Sequence, residues 1–86
     1  MTNSYSTIEH LLPSFDRYVQ QHRIPTGGFL QACLENNLTE AVGRADFINI
    51  NLLPDIVRYM YNELPADSWG SPERVQAWLA RRTKED

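Results

Sequence analysis

An all-α fold, a compact single-domain bundle of about four to five short helices, is what this sequence predicts, and three observations predict it. Apolar residues recur at spacings of three and four in several separate stretches, and proline, glycine or asparagine bounds each stretch. No run alternates apolar and polar residues as a half-buried strand would. With 86 residues there is room for one hydrophobic core, which for this length buries roughly 60–65% of the unfolded chain's surface. Residues 1–86 therefore read as one helical domain, with residues 1–7 and 82–86 as flexible ends.

Taken in order, the first helix spans about residues 8–21. Phe15, Tyr18, Val19 and His22 fall on one face of a 3.6-residue period. Pro13 lacks an N–H and suits only a first turn, so a start near Leu12 is the safer boundary. Residues 23–26 form a linker, because Ile24 precedes a proline and is pushed out of the helical region. The second helix runs from Gly27 or Gly28 to Asn36, with Thr26 as its cap and Phe29, Leu30, Cys33 and Leu34 as its apolar stripe. Asn36-Asn37 stops it, since asparagine tolerates the left-handed conformation that ends helices.

The third helix starts after Leu38 with Thr39 as cap. It carries Leu38, Ala41, Val42, Ala45 and Ile48 at core-facing spacing, weakened by a break expected near residues 44–46. After Asn49-Ile50-Asn51 comes the fourth helix, with Pro54 in its first turn and Asp55 near the positive end of its dipole. Ile56, Val57 and Met60 should face inward, with Tyr61 and Leu64 flanking and Pro65 closing the helix. Ser71-Pro72-Glu73 then gives the clearest local signal in the chain: an N-cap serine, a proline at the first helical position and an acid in the first turn. Val75, Trp78 and Leu79 form the face of this fifth helix, and Arg81, Arg82 and Lys84 gather near its negative end.

Composition excludes more than it selects. The net charge is −3 and the eight Lys and Arg residues are scattered before the small cluster at 81–84, so the basic face that nucleic-acid binding needs is lacking. A charge of −3 is also too small for a mimic of the phosphate array. A single cysteine, Cys33, excludes an intrachain disulfide and a multi-cysteine zinc site. The start of the chain has no signal-peptide pattern and no apolar run approaches a membrane span, which makes a cytoplasmic protein the expectation.

Candidate sites are few. Gly27-Gly28 ahead of Phe29 could form an anion-binding nest, but the Lys-Ser/Thr pair of a phosphate loop is missing. The glycines read better as a tight turn that lets the first two helices pack closely. Cys33 lies on an apolar stripe with no base in a recognisable relation to it, and behaves as a small buried hydrophobe. His22 reads as a packing or capping residue, and no metal-binding spacing occurs, so neither cofactor nor metal is expected. Asp46 and Asn49 lie one helical turn apart, as do Arg58 and Asn62. They fit capping and helix-to-helix hydrogen bonding, or else a polar recognition patch joined by Tyr59 or Tyr61. Trp69, in the loop before the fifth helix, is an interface anchor or a lid on the core.

Four blocks carry a resemblance: PTGGFLQACLENNL (25–38), EAVGRADFIN (40–49), IVRYMYNELP (56–65) and WGSPERVQAWL (69–79). They resemble a family of short bacteriophage and prophage proteins whose pattern reads PxGGFLxAxLxNDL, then ADxxN, IVxxLYN and WGS. The chain departs from it at Asn37, where the pattern has Asp. The resemblance implies a setting, a phage or prophage protein acting inside a bacterial cell, without fixing an activity.

The expected function is therefore a non-enzymatic interaction module that binds and modulates a host or phage protein, with anti-defence action one form this could take. The candidate surface is Asp46, Asn49, Arg58, Tyr61, Asn62 and Trp69. Pairing with a second copy is left open, and no membrane partner is expected. The alternative is a nucleic-acid-binding regulator, with the second and third helices as a helix-turn-helix-like pair. Arg44 would be the only basic residue on its recognition helix.

Overall fold

The computed structural model describes residues 5–20 and 23–81. Five α-helices follow one another: α1 (Leu12–Val19), α2 (Gly28–Leu34), α3 (Leu38–Arg44), α4 (Leu53–Glu63) and α5 (Pro72–Ala80). Short 3-10 turns, Ser6–Leu11, Asn49–Leu52 and Ala66–Ser68, lead into or towards α1, α4 and α5. All the regular structure among the described residues is helical, in agreement with the fold class expected from sequence. The molecule measures 39 × 34 × 20 Å, so its short axis is about two helix diameters.

Helix α1 begins at Leu12 with Pro13 in its first turn, the position that proline tolerates. The residues before it form a 3-10 turn, broken at Ile8, whose side chain is fully buried. Of the loose ends expected at residues 1–7 and 82–86, residues 1–4 and 82–86 lie outside the described residues. Thr7 is in the turn, and its hydroxyl donates to Asp55 Oδ2 at 2.7 Å. The helix ends at Val19, two residues before the expected boundary. Gln20 is extended, and the Ile24 N–H takes the Arg17 carbonyl at 3.0 Å, folding the chain back on the helix end. His22 lies outside the described residues.

Two asparagines make the hand-over between α2 and α3. Asn36 has φ 61°, the Asn36 N–H donates to Cys33 O at 3.0 Å, and the Asn37 N–H donates to Ala32 O at 2.9 Å. Together these are a Schellman closure built on asparagine in place of glycine. Asn37 then caps α3, its Oδ1 accepting from the Glu40 N–H at 3.2 Å. The expected caps Thr26 and Thr39 do not act as such. Thr26 Oγ1 donates to Gly27 O at 3.3 Å, and Gly27 itself starts α2 in extended conformation. Thr39 is already inside α3. The break near residues 44–46 occurs, with Ala45 extended.

The Asp46 carboxylate accepts from the Asn49 N–H at 2.7 Å and fixes the 3-10 turn that feeds α4. Helix α4 buries Ile56, Met60 and, just past its end, Leu64. Ser71 Oγ accepts from the Arg74 N–H at 3.1 Å, the N-cap that the sequence marks for α5. The loop before it is braced by Arg74, which donates to Ala66 O at 3.3 Å and to Trp69 O at 3.5 Å. Gly70 lets it pass: φ is 122° there, and a Cβ would lie 3.1 Å from Arg74 Nη1.

The core gathers Ile8, Phe15 and Tyr18 with the inner faces of α2, α4 and α5. Tyr18 ties it together. Its hydroxyl donates to Ser68 O at 2.7 Å, and its carbonyl accepts from Trp78 Nε1 at 2.9 Å. Arg23 lies over the Trp78 ring, 3.6 Å from the centroid, and donates to Trp78 O at 3.1 Å.

Two outcomes test this account. Tyr18→Phe leaves the buried Ser68 carbonyl without its donor and lowers unfolding free energy by about 1–3 kcal/mol in urea melts. Asn37→Ala removes a cap and costs about 1 kcal/mol, whereas Asn37→Asp keeps an acceptor in place and retains stability within a few tenths.

Candidate interaction surface

The fourth helix sets the candidate residues out along its exposed side. Arg58, Tyr61 and Asn62 follow at spacings of three and four and are all exposed, so they share one face. Arg58 Nη1 pairs with Asp55 Oδ1 at 3.1 Å in a largely solvated ion pair, which adds about 0.5 kcal/mol or less. The Asn62 side chain makes no hydrogen bond with any described residue. Tyr61 is 76% exposed and meets Trp69 edge to face, with ring centroids 6.5 Å apart. Trp69 is half-buried and packs on the core, so it serves as lid and leaves part of its ring on the surface.

Asp46 and Asn49 stand apart from that group. Besides the Asp46 cap on the Asn49 N–H, Asn49 Oδ1 lies 3.0 Å from His10 Nε2, which links the turn to the segment ahead of α1. No hydrogen bond or ring contact joins this pair to Tyr61 and Trp69 among the described residues. The structure thus brings the six residues together as two groups, one engaged in turn capping and one aromatic and open.

The aromatic pair stands between two depressions. On one side Trp69 lines a narrow groove between α3 and α4 with Leu38, Ala41, Leu53, Val57 and Met60, and Cys33 closes its floor. On the other side Tyr61, Leu64, Trp69, Gly70 and Arg74 bound a cleft of about 320 Å³. Several residues expected in the core are on the surface here: Leu38 is 69% exposed, Ile48 65%, and Val42 and Val57 46% each. The reason is the short α3. Its seven residues bury only Ala41 against α2, and the break after Arg44 carries Ile48 off the helix. Phe47, at 88% exposure, was not marked by any periodicity.

A third cleft, of about 380 Å³, lies between α2 and α3 and is polar. Arg44 crosses it over Gly28, where a Cβ would sit 3.0 Å from Nη1, and pairs with Glu40 at 3.0 Å. Gly28 therefore makes room for a side chain of α3, and the close approach expected between the first two helices is not its purpose. Glu35 and Glu40 line the same cleft, so an anion there would meet like charge.

Cys33 is buried, and desolvation raises its thiol to about pKa 11, the opposite of what a nucleophile needs. Burial likewise raises the Tyr18 hydroxyl to about 12. No group of three or more potential metal ligands occurs among the described residues, and no described helix is long and apolar enough to cross a membrane. Comparison with family models, with curated proteins and with solved structures finds no match to this chain, which leaves the surface to be read from its own residues.

The two raised pKa values give stability a direction with pH. The unfolded chain releases the Cys33 proton near pH 9.0 and the folded one only near 11, so the unfolded state binds fewer protons in between and stability falls as pH rises. Tyr18 extends the fall from about 10 to about 12. Urea midpoints measured at intervals from neutral pH to 11 should decline above 9. In Cys33→Ala the part of that decline between 9 and 11 should be shallower.

Proposed function

We propose that this chain is a small non-enzymatic protein of phage or prophage origin that binds a host or phage protein in the bacterial cytoplasm and modulates it. Tyr61 and Trp69 are the centre of the binding surface, with Arg58 and Asn62 as its polar rim. The observation that carries the reading is the aromatic pair. Tyr61 is exposed, Trp69 is half-buried, and neither the Tyr61 hydroxyl nor the Trp69 indole N–H is used by a described residue. Large amphipathic rings with free polar tips beside apolar depressions are the kind of residue that dominates binding energy at protein interfaces. The four blocks that resemble phage proteins supply the setting, and the protonated, buried Cys33 supports the non-enzymatic half of the reading.

The nucleic-acid alternative draws on the packing of α2 against α3 across the asparagine turn. It is the weaker reading because Arg44, the basic residue on α3, is held by Glu40 in place of a phosphate. A gel shift at two salt concentrations separates the two readings, since phosphate-driven binding weakens steeply with ionic strength.

The main test is affinity capture from host lysate with the wild-type chain, Tyr61→Ala and Trp69→Ala. A specific partner should be retained by the wild type and reduced at least about tenfold by Tyr61→Ala, a loss of about 1.4 kcal/mol or more. Capture of nothing above background, or equal capture by all three chains, would refute the proposal.

A further inference from the structure

The cleft bounded by Tyr61, Leu64, Ala66, Trp69, Gly70 and Arg74 holds a cation and no acid. Arg74 is exposed and makes no ion pair with any described residue, whereas Arg44, Arg58 and Arg81 are paired with Glu40, Asp55 and Asp67. We infer that this cleft receives an acidic side chain, an Asp or Glu beside an apolar residue, from the protein partner proposed above, an inference that rests on that reading and names what the partner presents.

The guanidinium is held in position before any partner arrives. Arg74 Nη1 donates to Ala66 O at 3.3 Å and to Trp69 O at 3.5 Å. Those bonds occupy one nitrogen of the fork, and Nε and Nη2 have no partner among the described residues. Together they are the edge with which an arginine takes a carboxylate through two parallel bonds. The loop beneath is fixed as well, since the Gly70 N–H donates to Leu34 O at 2.7 Å and Ser68 O accepts from Tyr18. A donor that need not be ordered on binding gives more of its energy to the complex.

The rest of the lining suits the same guest. Neither the Tyr61 hydroxyl nor Trp69 Nε1 has a partner among the described residues. The buried side-chain nitrogen left unpaired among those residues is Arg23 Nε, so Trp69 Nε1 is open to solvent. Leu64, Ala66 and the Trp69 ring supply apolar wall for a neighbouring side chain, in a cleft of about 320 Å³. The acids nearest in sequence offer little competition: Glu63 accepts from the Tyr5 hydroxyl at 3.2 Å, Asp67 is held by Arg81, and Glu73 does not line the cleft. One cation also matches one negative charge. A phosphate group carries nearly two and is met by clusters of arginine, and no second basic residue lines this cleft among those described.

Selection of a random-peptide library on the immobilised full chain tests the inference. Retained peptides should share an Asp or Glu next to an apolar residue. In titrations followed by the NMR signal of the Trp69 indole N–H, changing that acid to its amide should weaken binding at least about tenfold, and so should Arg74→Gln. The two changes together should cost little more than either alone, the coupling expected of groups in contact. The amide peptide leaves the protein untouched, so it reads the contact even where Arg74→Gln loosens the loop. Peptides that lose binding in Tyr61→Ala, yet carry no acid or ignore Arg74, overturn the inference and leave the partner surface standing. Peptides that ignore both residues, or a library that yields none, remove the surface and the inference with it. Tighter binding of a phosphoserine peptide overturns the inference in favour of a phosphorylated segment.

Discussion

One residue, Tyr18, holds three parts of this protein in place. Its hydroxyl and its carbonyl reach Ser68 and Trp78, fifty and sixty residues further along the chain, and both bonds are buried. In a domain this small, few elements can be fixed by area alone, so two buried hydrogen bonds in a low-dielectric interior count for much. Ser68 is fully buried, and its own hydroxyl is spent on Pro65 O at 2.7 Å. The loop from Pro65 to Gly70 is thereby held from below by Tyr18 and from above by Arg74. Trp69 is presented from that loop, and its placement on the surface depends on the clasp beneath.

The residues that carry the phage-protein resemblance turn out to have backbone tasks. Gly28 clears a path for Arg44, Asn36 takes the left-handed position, and Asn37 caps α3. Asp46 caps the turn at Asn49, Gly70 adopts a positive φ, and Ser71 caps α5. The departure at Asn37 is mild in these terms, because an amide oxygen accepts the same N–H that a carboxylate would. Such a pattern describes how the chain turns corners. It says less about what the chain touches.

Much of the fold was legible in the sequence because those corners are written in local chemistry. Pro13, Asn36, Pro54, Pro65 and Ser71 each mark a boundary through a rule that concerns one or two residues. What was not legible was which apolar stripe would find a neighbour. Leu38, Val42 and Val57 have the spacing of core residues, yet their exposure is decided by whether another helix lies opposite, and periodicity carries no information on that. The candidate site behaved similarly. The one-turn spacing of Asp46 and Asn49 suited capping or recognition equally, and the hydrogen bond that distinguishes the roles depends on the break after Arg44. Tyr61 and Trp69 meet only because the clasp brings the loop back over α4, and no short-range signal anticipates that contact.

The asparagine turn between α2 and α3 also bears on the order in which the molecule assembles. The two helices it joins pack on each other more extensively than any other pair of described elements, and their contacts span at most sixteen residues, from Gly28 to Arg44. Closing that turn demands little loop entropy, while joining Tyr18 to Ser68 and Trp78 demands closure of loops of fifty residues and more. Local contacts of this kind form fast, and distant ones set the pace of folding. The α2–α3 hairpin thus closes at a smaller loop-entropy cost than the Tyr18 clasp that holds the loop carrying Trp69.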